Sequence, residues 1–148
     1  MLTRRLFLGS ALAAPLLARP AFAASPDYFA VDGIAIRGTD PVAYFEGAGP
    51  VAGSPEHALM WRGATWHFAS AANRAAFEAD ADRFAPRYGG YCAYAVSKGG
   101  LATTDPAAWT IHEGQLYLNY SLNVRGIWSQ DIPGNIARAD ANWPAVLA

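Results

Sequence analysis

Alternating apolar and polar positions predict two β-hairpins in the middle of this chain. The predicted strands cover residues 57–61, 64–69, 109–112 and 115–120. Each pair is joined by two residues that end in glycine, Arg62-Gly63 and Glu113-Gly114, a composition typical of tight hairpin turns. Side chains alternate between the two faces of a strand, so Trp66 and Phe68 share a face that we predict to be the core.

Helical segments are predicted between and after these hairpins. Ser70 is placed to cap a helix over residues 71–84, and Ser121 to cap one over 122–130. A short helix over 91–96 and a last helix over 134–142, with Pro133 at its start, complete the set. A further short strand pair is predicted around Asp32-Gly33, followed by a short helical or extended piece at 42–45. The fold class is therefore α+β: a single domain of small antiparallel β-hairpins packed with several short helices.

The first 23 residues have the pattern of a cleaved signal peptide. Arg4 and Arg5 precede an apolar run over residues 6–17, and Ala-Phe-Ala at 21–23 is a typical cleavage site. The paired arginines followed by Leu-Phe-Leu resemble a twin-arginine export signal, although a general secretory signal is the alternative. We expect a signal peptide over 1–23, a mature domain over 24–148, and a periplasmic or secreted protein. The apolar run is too short for a stable membrane span.

Charge excludes some partners of the mature domain. The whole chain of 148 residues has 11 basic and 12 acidic side chains; three of the arginines and none of the acids fall in 1–23, which leaves a formal charge of −4. Such a domain has no general attraction to nucleic acid or to an anionic membrane surface. Nucleotide-binding glycine loops and the common zinc-protease and serine-hydrolase motifs are also missing from the sequence.

Soft-metal chemistry remains the most specific candidate function. Cys92 is the single cysteine of an exported chain, so it forms no intramolecular disulfide. A thiolate with imidazoles from His57, His67 and His112 is a credible ligand set for copper or zinc, with Met60 as an auxiliary ligand. His57 and His67 are expected to be cross-strand neighbours in the first hairpin. The competing interpretation is that Cys92 is a small, buried, inert core residue.

Several segments together resemble the YHS domain family, in its exported stand-alone form. They are residues 38–45, 65–70, 86–93 and 116–120, with Phe77. The resemblance covers nearly all of residues 30–145 and implies a small metal-binding domain. Ala43 and Ala69 stand where short members of the family carry cysteines, so the resemblance leaves Asp40, His67 and Cys92 as candidate ligands.

Three hypotheses remain open from the sequence. The first is a periplasmic metal-binding module, for copper rather than zinc, that stores, delivers or senses the ion through Cys92, His67 and Asp40. The second is a domain that binds a non-metal ligand or a protein partner, in which aromatic residues and 119–120 form the pocket and Cys92 is structural. The third, enzymatic thiol chemistry at Cys92 activated by a histidine, has the least support, and we do not expect an enzyme.

Overall fold

The computed structural model describes residues 23–47 and 49–148. The predicted signal peptide therefore lies outside the described residues except for Ala23. The strands are β1 Ala30–Val31, β2 Ile34–Ala35, β3 Ser54–Trp61, β4 Ala64–Phe68, β5 Trp109–His112 and β6 Gln115–Leu118. The α-helices are α1 Ala71–Ala79, α2 Ala81–Phe84, α3 Ala93–Ser97, α4 Leu122–Trp128 and α5 Ile132–Asn142. Short 3₁₀ turns cover Ile36–Gly38, Ala43–Glu46, Arg87–Gly90, Ser129–Asp131 and Ala145–Leu147. The predicted α+β class is confirmed.

The strands form one sheet of four and one of two. The larger sheet has the order β1-β2-β4-β3, in which β2 runs parallel to β4 and the other pairs are antiparallel. Within the described residues, β5 and β6 pair only with each other. The three predicted turns, Asp32-Gly33, Arg62-Gly63 and Glu113-Gly114, all have positive φ at both residues. That conformation matches the twist of antiparallel strands, which explains why these pairs mark the hairpins.

One apolar core lies between the larger sheet and α1. Ala64, Trp66 and Phe68 are buried along one face of β4, whereas Thr65 and His67 on the other face are partly exposed. Phe77 of α1 packs against both aromatic rings, with centroid distances of 5.1 Å to Trp66 and 5.2 Å to Phe68. The predicted alternation along β4 is therefore confirmed.

A second core joins the C-terminal helices to the smaller hairpin. Its buried members include Val96 of α3, Tyr117 of β6, Trp128 of α4 and Ala139 of α5. The Tyr117 and Trp128 rings lie 5.3 Å apart. Two packed cores in so short a chain account for a fold without disulfides.

The predicted helix over 71–84 is wrong in one respect, because it is two helices. Ser70 caps α1 as expected, since its hydroxyl accepts a hydrogen bond from the Asn73 N–H at 3.1 Å. Asp80 ends α1 and caps α2, where its carboxylate accepts from the Arg83 N–H at 3.3 Å. An aspartate side chain competes for backbone N–H groups and so favours a helix end over a helix interior. In residues 23–47 and 49–148, no helix has the length and apolar character needed to cross a membrane.

Candidate functional site

Cys92 is buried at the start of α3 with 1% of its surface exposed. Its Sγ accepts a hydrogen bond from the Tyr120 N–H at 3.3 Å and donates to Asn119 Oδ1 at 3.5 Å. The Tyr94 N–H donates to the same Asn119 oxygen at 3.1 Å, which fixes the orientation of that amide. Both neighbours are polar groups of the protein, so this arrangement suits a structural Cys92.

Asp40 is fully buried and its carboxylate organises the neighbouring backbone. Oδ1 accepts from the N–H groups of Val42 at 2.8 Å and Ala43 at 3.3 Å. Oδ2 accepts from the Ala69 N–H and from Asn73 Nδ2, both at 2.8 Å. These four bonds tie the loop after the first 3₁₀ turn to the end of β4 and to α1. Both carboxylate oxygens are thus already engaged by donors from the protein.

His67 lies on the open face of β4, beside a recess of about 350 Å³ that Asp32 and Arg37 also border. Gly53 crosses the His67 backbone so closely that an added Cβ would overlap its carbonyl carbon. Gly38 approaches the imidazole, where an added Cβ would lie 3.5 Å from Nδ1. Gly53 thus packs against the His67 backbone and Gly38 against its ring, and the residue borders the recess.

The weaker ligand candidates lie apart from this arrangement. The two-residue turn sets a regular register from Trp61–Ala64 outward, and this register pairs His67 with Ala58. The expected cross-strand pairing of His57 with His67 is therefore wrong. Met60 is 69% exposed on β3. His112 ends β5, with Nε2 at 4.0 Å from a carboxylate oxygen of Glu113.

The predicted ligands do not form a cluster in the structure. Across the described ranges, no group of three or more His, Cys, Asp or Glu side chains is arranged to hold a metal ion. Asp40 and His67 lie near each other in the fold, because Asp40 binds the backbone two residues beyond His67. Cys92 has its own surroundings of Asn119 and the Tyr120 backbone. Metal binding by Cys92, His67 and Asp40 together thus stays a prediction, without support from the geometry.

A cleft of about 480 Å³ is a different candidate site, which the sequence did not indicate. It is lined by residues from the N-terminal arm, the β3–β4 turn, α2 and the following loop, β6 and the C-terminal turn: Asp27, Tyr28, Arg62, Asp82, Ala85, Pro86, Arg87, Tyr88, Gly89, Gln115, Trp143, Pro144 and Leu147. The peptide bond between Trp143 and Pro144 is cis. Segments far apart in sequence thus meet around one concave surface.

The N-terminal arm forms one wall of this cleft because hydrogen bonds hold it to the rest of the domain. The Phe29 N–H donates to the Gly89 carbonyl, the Tyr91 hydroxyl donates to the Pro26 carbonyl, and the Ser25 N–H donates to the Leu147 carbonyl, each at 2.8 Å. Gly89 has φ +61°, and an added Cβ there would overlap the Asp27 carbonyl oxygen. Only glycine combines this backbone conformation with so close an approach of the arm.

Two arginine–carboxylate pairs border the cleft. Arg62 lies 3.4 Å from Asp82, and its guanidinium stacks over the Trp61 ring at 4.6 Å. Arg87 lies 3.3 Å from Asp140. Each arginine therefore has a carboxylate partner within the protein.

Tyrosine hydroxyls adjoin both ion pairs. The Tyr88 hydroxyl donates to Asp140 at 2.8 Å, and burial together with this carboxylate raises the Tyr88 pKa strongly. Burial also raises the pKa of Tyr28, although the Arg62 charge and its hydrogen bond to the tyrosine oppose that rise. Both hydroxyls are thus neutral donors over the ordinary pH range.

This cleft was not predicted from the sequence, although one of the segments singled out there contributes to the lining. The segment 86–93, which contributes to the resemblance described above, also contributes Pro86, Arg87 and Gly89 to the lining. The partners from the N-terminal arm and the C-terminal turn have no local signature, so their convergence could not be read from spacing. Comparison of the chain with protein-family models, with curated proteins and with solved structures found no match.

Proposed function

We propose that this protein is a binding module for a small organic ligand, with the 480 Å³ cleft as its site and Cys92 as a structural residue. The proposal agrees with the second hypothesis from the sequence, a domain that binds a non-metal ligand, but it places the ligand in this cleft and not in a pocket at residues 119–120. The observation that carries it is the cleft itself, which combines aromatic side chains with fixed charged groups. Its volume falls in the range of about 300–1,000 Å³ that is typical of small-molecule sites.

The environment of Cys92 supports the same choice. A buried thiol with a donor and an acceptor already in contact is a satisfied core residue. Asp40 is likewise engaged in four hydrogen bonds that hold the fold together. Two of the three principal ligand candidates therefore have structural roles that explain their presence.

The test is a ligand screen with a variant that fills the cleft. A set of small aromatic, cationic, anionic and neutral organic molecules is screened by saturation-transfer NMR against the wild type and against Gln115→Trp. Gln115 lines the cleft, so the larger side chain should occupy it. Gln130→Trp, at an exposed position that does not line the cleft, is the matched control. We expect ligands that bind the wild type and Gln130→Trp but not Gln115→Trp. Ligands that bind all three proteins alike, or no ligand at all, would refute the proposal.

Metal binding is the second candidate, and one observation favours it. The half-exposed His67 borders a recess with Asp32, which offers one imidazole and one carboxylate to a copper or zinc ion. Copper and zinc contents are measured for the wild type, His67→Ala and Cys92→Ala after expression and equilibration with each metal. A site in this recess predicts loss of metal in His67→Ala alone. Loss in both variants would instead support the ligand set expected from the sequence, and equal, negligible metal in all three would exclude both.

We also propose that the protein is an exported member of the YHS domain family, on the sequence features given above. Cell fractionation of the wild type and of Arg4→Lys/Arg5→Lys tests export by the twin-arginine route. Retention of only the double variant in the cytoplasm is the expected result. Equal export of both would favour the general secretory route, whereas cytoplasmic location of the wild type would refute export.

A further inference from the structure

The charges around the cleft are unevenly compensated. Arg62 and Arg87 each form an ion pair, with Asp82 and Asp140 respectively. Asp27, an exposed carboxylate of the lining, forms no ion pair with any of the described residues. The charge left without a counter-ion in the cleft is therefore negative.

An aromatic ring lies beside the residue that carries this carboxylate, and both residues line the cleft. The Asp27 carbonyl closely approaches the Gly89 Cα, and Trp143 Cη2 lies 3.2 Å from the position that a Gly89 Cβ would occupy. The indole thus packs next to the arm residue that carries the carboxylate. Trp143 is partly buried, and the rings of Tyr88 and Tyr91 lie at centroid distances of 6.0 and 6.3 Å from its indole. Within the described part of the chain, no cationic side chain stacks over this indole.

We propose that the cleft selects small organic cations, with an ammonium group bound between the Asp27 carboxylate and the Trp143 indole. This inference rests on the proposed function and specifies its ligand class. A carboxylate next to an indole attracts a cation through charge pairing and through the negative face of the ring. Quaternary and primary amines are the chemical class that fits both groups.

An anionic ligand fits the same cleft less well. The Arg62 guanidinium already contacts Asp82 and the Trp61 ring, and Arg87 already contacts Asp140 and stacks over the Tyr88 ring. An anion would share each guanidinium with a carboxylate of the protein and would also be repelled by Asp27. A cation meets an available carboxylate without displacing any contact of the protein.

Choline is the probe for the test, with two comparison molecules. Its neutral isostere 3,3-dimethylbutan-1-ol has the same shape without the charge, and acetate carries the opposite charge. Binding is followed by NMR through the indole N–H signals of the tryptophans, with the Trp143 signal assigned by Trp143→Phe. We expect choline to bind about fivefold or more tightly than the isostere at low ionic strength, and this advantage to shrink with added salt.

The decisive variant is Asp27→Asn, which removes the charge and keeps the shape. We expect it to abolish the preference of choline over the isostere. Asp32→Asn, the same change at an exposed turn residue outside the cleft, should leave that preference intact. Isostere or acetate binding as tightly as choline, or an unchanged preference in Asp27→Asn, would overturn the cation proposal.

Different results would refute ligand binding in the cleft and the selection of cations by the cleft. Binding of the isostere or acetate that Gln115→Trp removes would overturn cation selection while the cleft remains a ligand site. Absence of choline binding also overturns cation selection, and the broader ligand screen then decides separately whether the cleft binds anything.

Discussion

The substitution Asp40→Asn should destabilise this protein strongly, although it changes the side chain by little in size. Asp40 is fully buried, and its two oxygens accept four hydrogen bonds. An asparagine amide keeps one acceptor oxygen and replaces the other with an NH₂ group. Whichever way the amide turns, two donors of the protein lose their acceptor and face another donor. Hydrogen bonds to a charged group contribute about 1.5–3 kcal/mol each, so we expect a loss of about 3–5 kcal/mol in the free energy of unfolding.

Urea denaturation followed by tryptophan fluorescence measures this loss, since both cores contain buried tryptophans. Asp32→Asn is the matched control, because Asp32 is exposed in a turn with φ 51°, a conformation that asparagine also tolerates. The control should remain within about 0.5 kcal/mol of the wild type. Asn73→Ala, which removes one of the four donors, should have an intermediate effect. A loss below about 1 kcal/mol in Asp40→Asn would show that the carboxylate does not hold these segments together.

Three further outcomes are expected. Cys92→Ala should lower the free energy of unfolding by about 1–2 kcal/mol. An aromatic disulfide reagent should label the wild-type thiol far more slowly in the folded protein than in urea. Rapid labelling of the folded protein would contradict a buried thiol. Gly89→Ala should lower the free energy of unfolding by about 2–5 kcal/mol, because Gly89 has a positive φ and an added Cβ would overlap the Asp27 carbonyl. Gly99→Ala, where φ is also positive but the surrounding space is open, should lower it by about 1–2 kcal/mol. Equal losses in the two variants would contradict the close approach of the arm. Burial raises the pKa of Tyr44 to about 12, so its contribution to stability should be constant below the unfolded pKa near 10 and be lost as pH rises toward 12. Tyr44→Phe should therefore lose less stability over that alkaline range, and an unchanged pH profile in the variant would contradict the assignment.

The contacts of the candidate site residues are the feature that the sequence predicted least well. Cys92 was the residue on which the sequence hypotheses centred, but its partners are a backbone N–H and the Asn119 amide, which no spacing rule places beside it. Asp40 was a predicted ligand because of its motif, whereas its oxygens accept hydrogen bonds from three backbone N–H groups and from the side chain of Asn73, 33 residues along the chain. The cleft was missed because its walls come from both ends of the domain.

The sequence by itself determined the local elements of this protein. Turn residues with positive φ defined the hairpins, serine hydroxyls began α1 and α4, and the alternation along β4 selected its buried face, because each of these effects acts within a few residues. The tertiary structure decided the parallel pairing of β2 with β4, the two cores and the meeting of the arm with the C-terminal turn. Those features depend on contacts between distant segments, whose free energy is realised only when the whole chain packs.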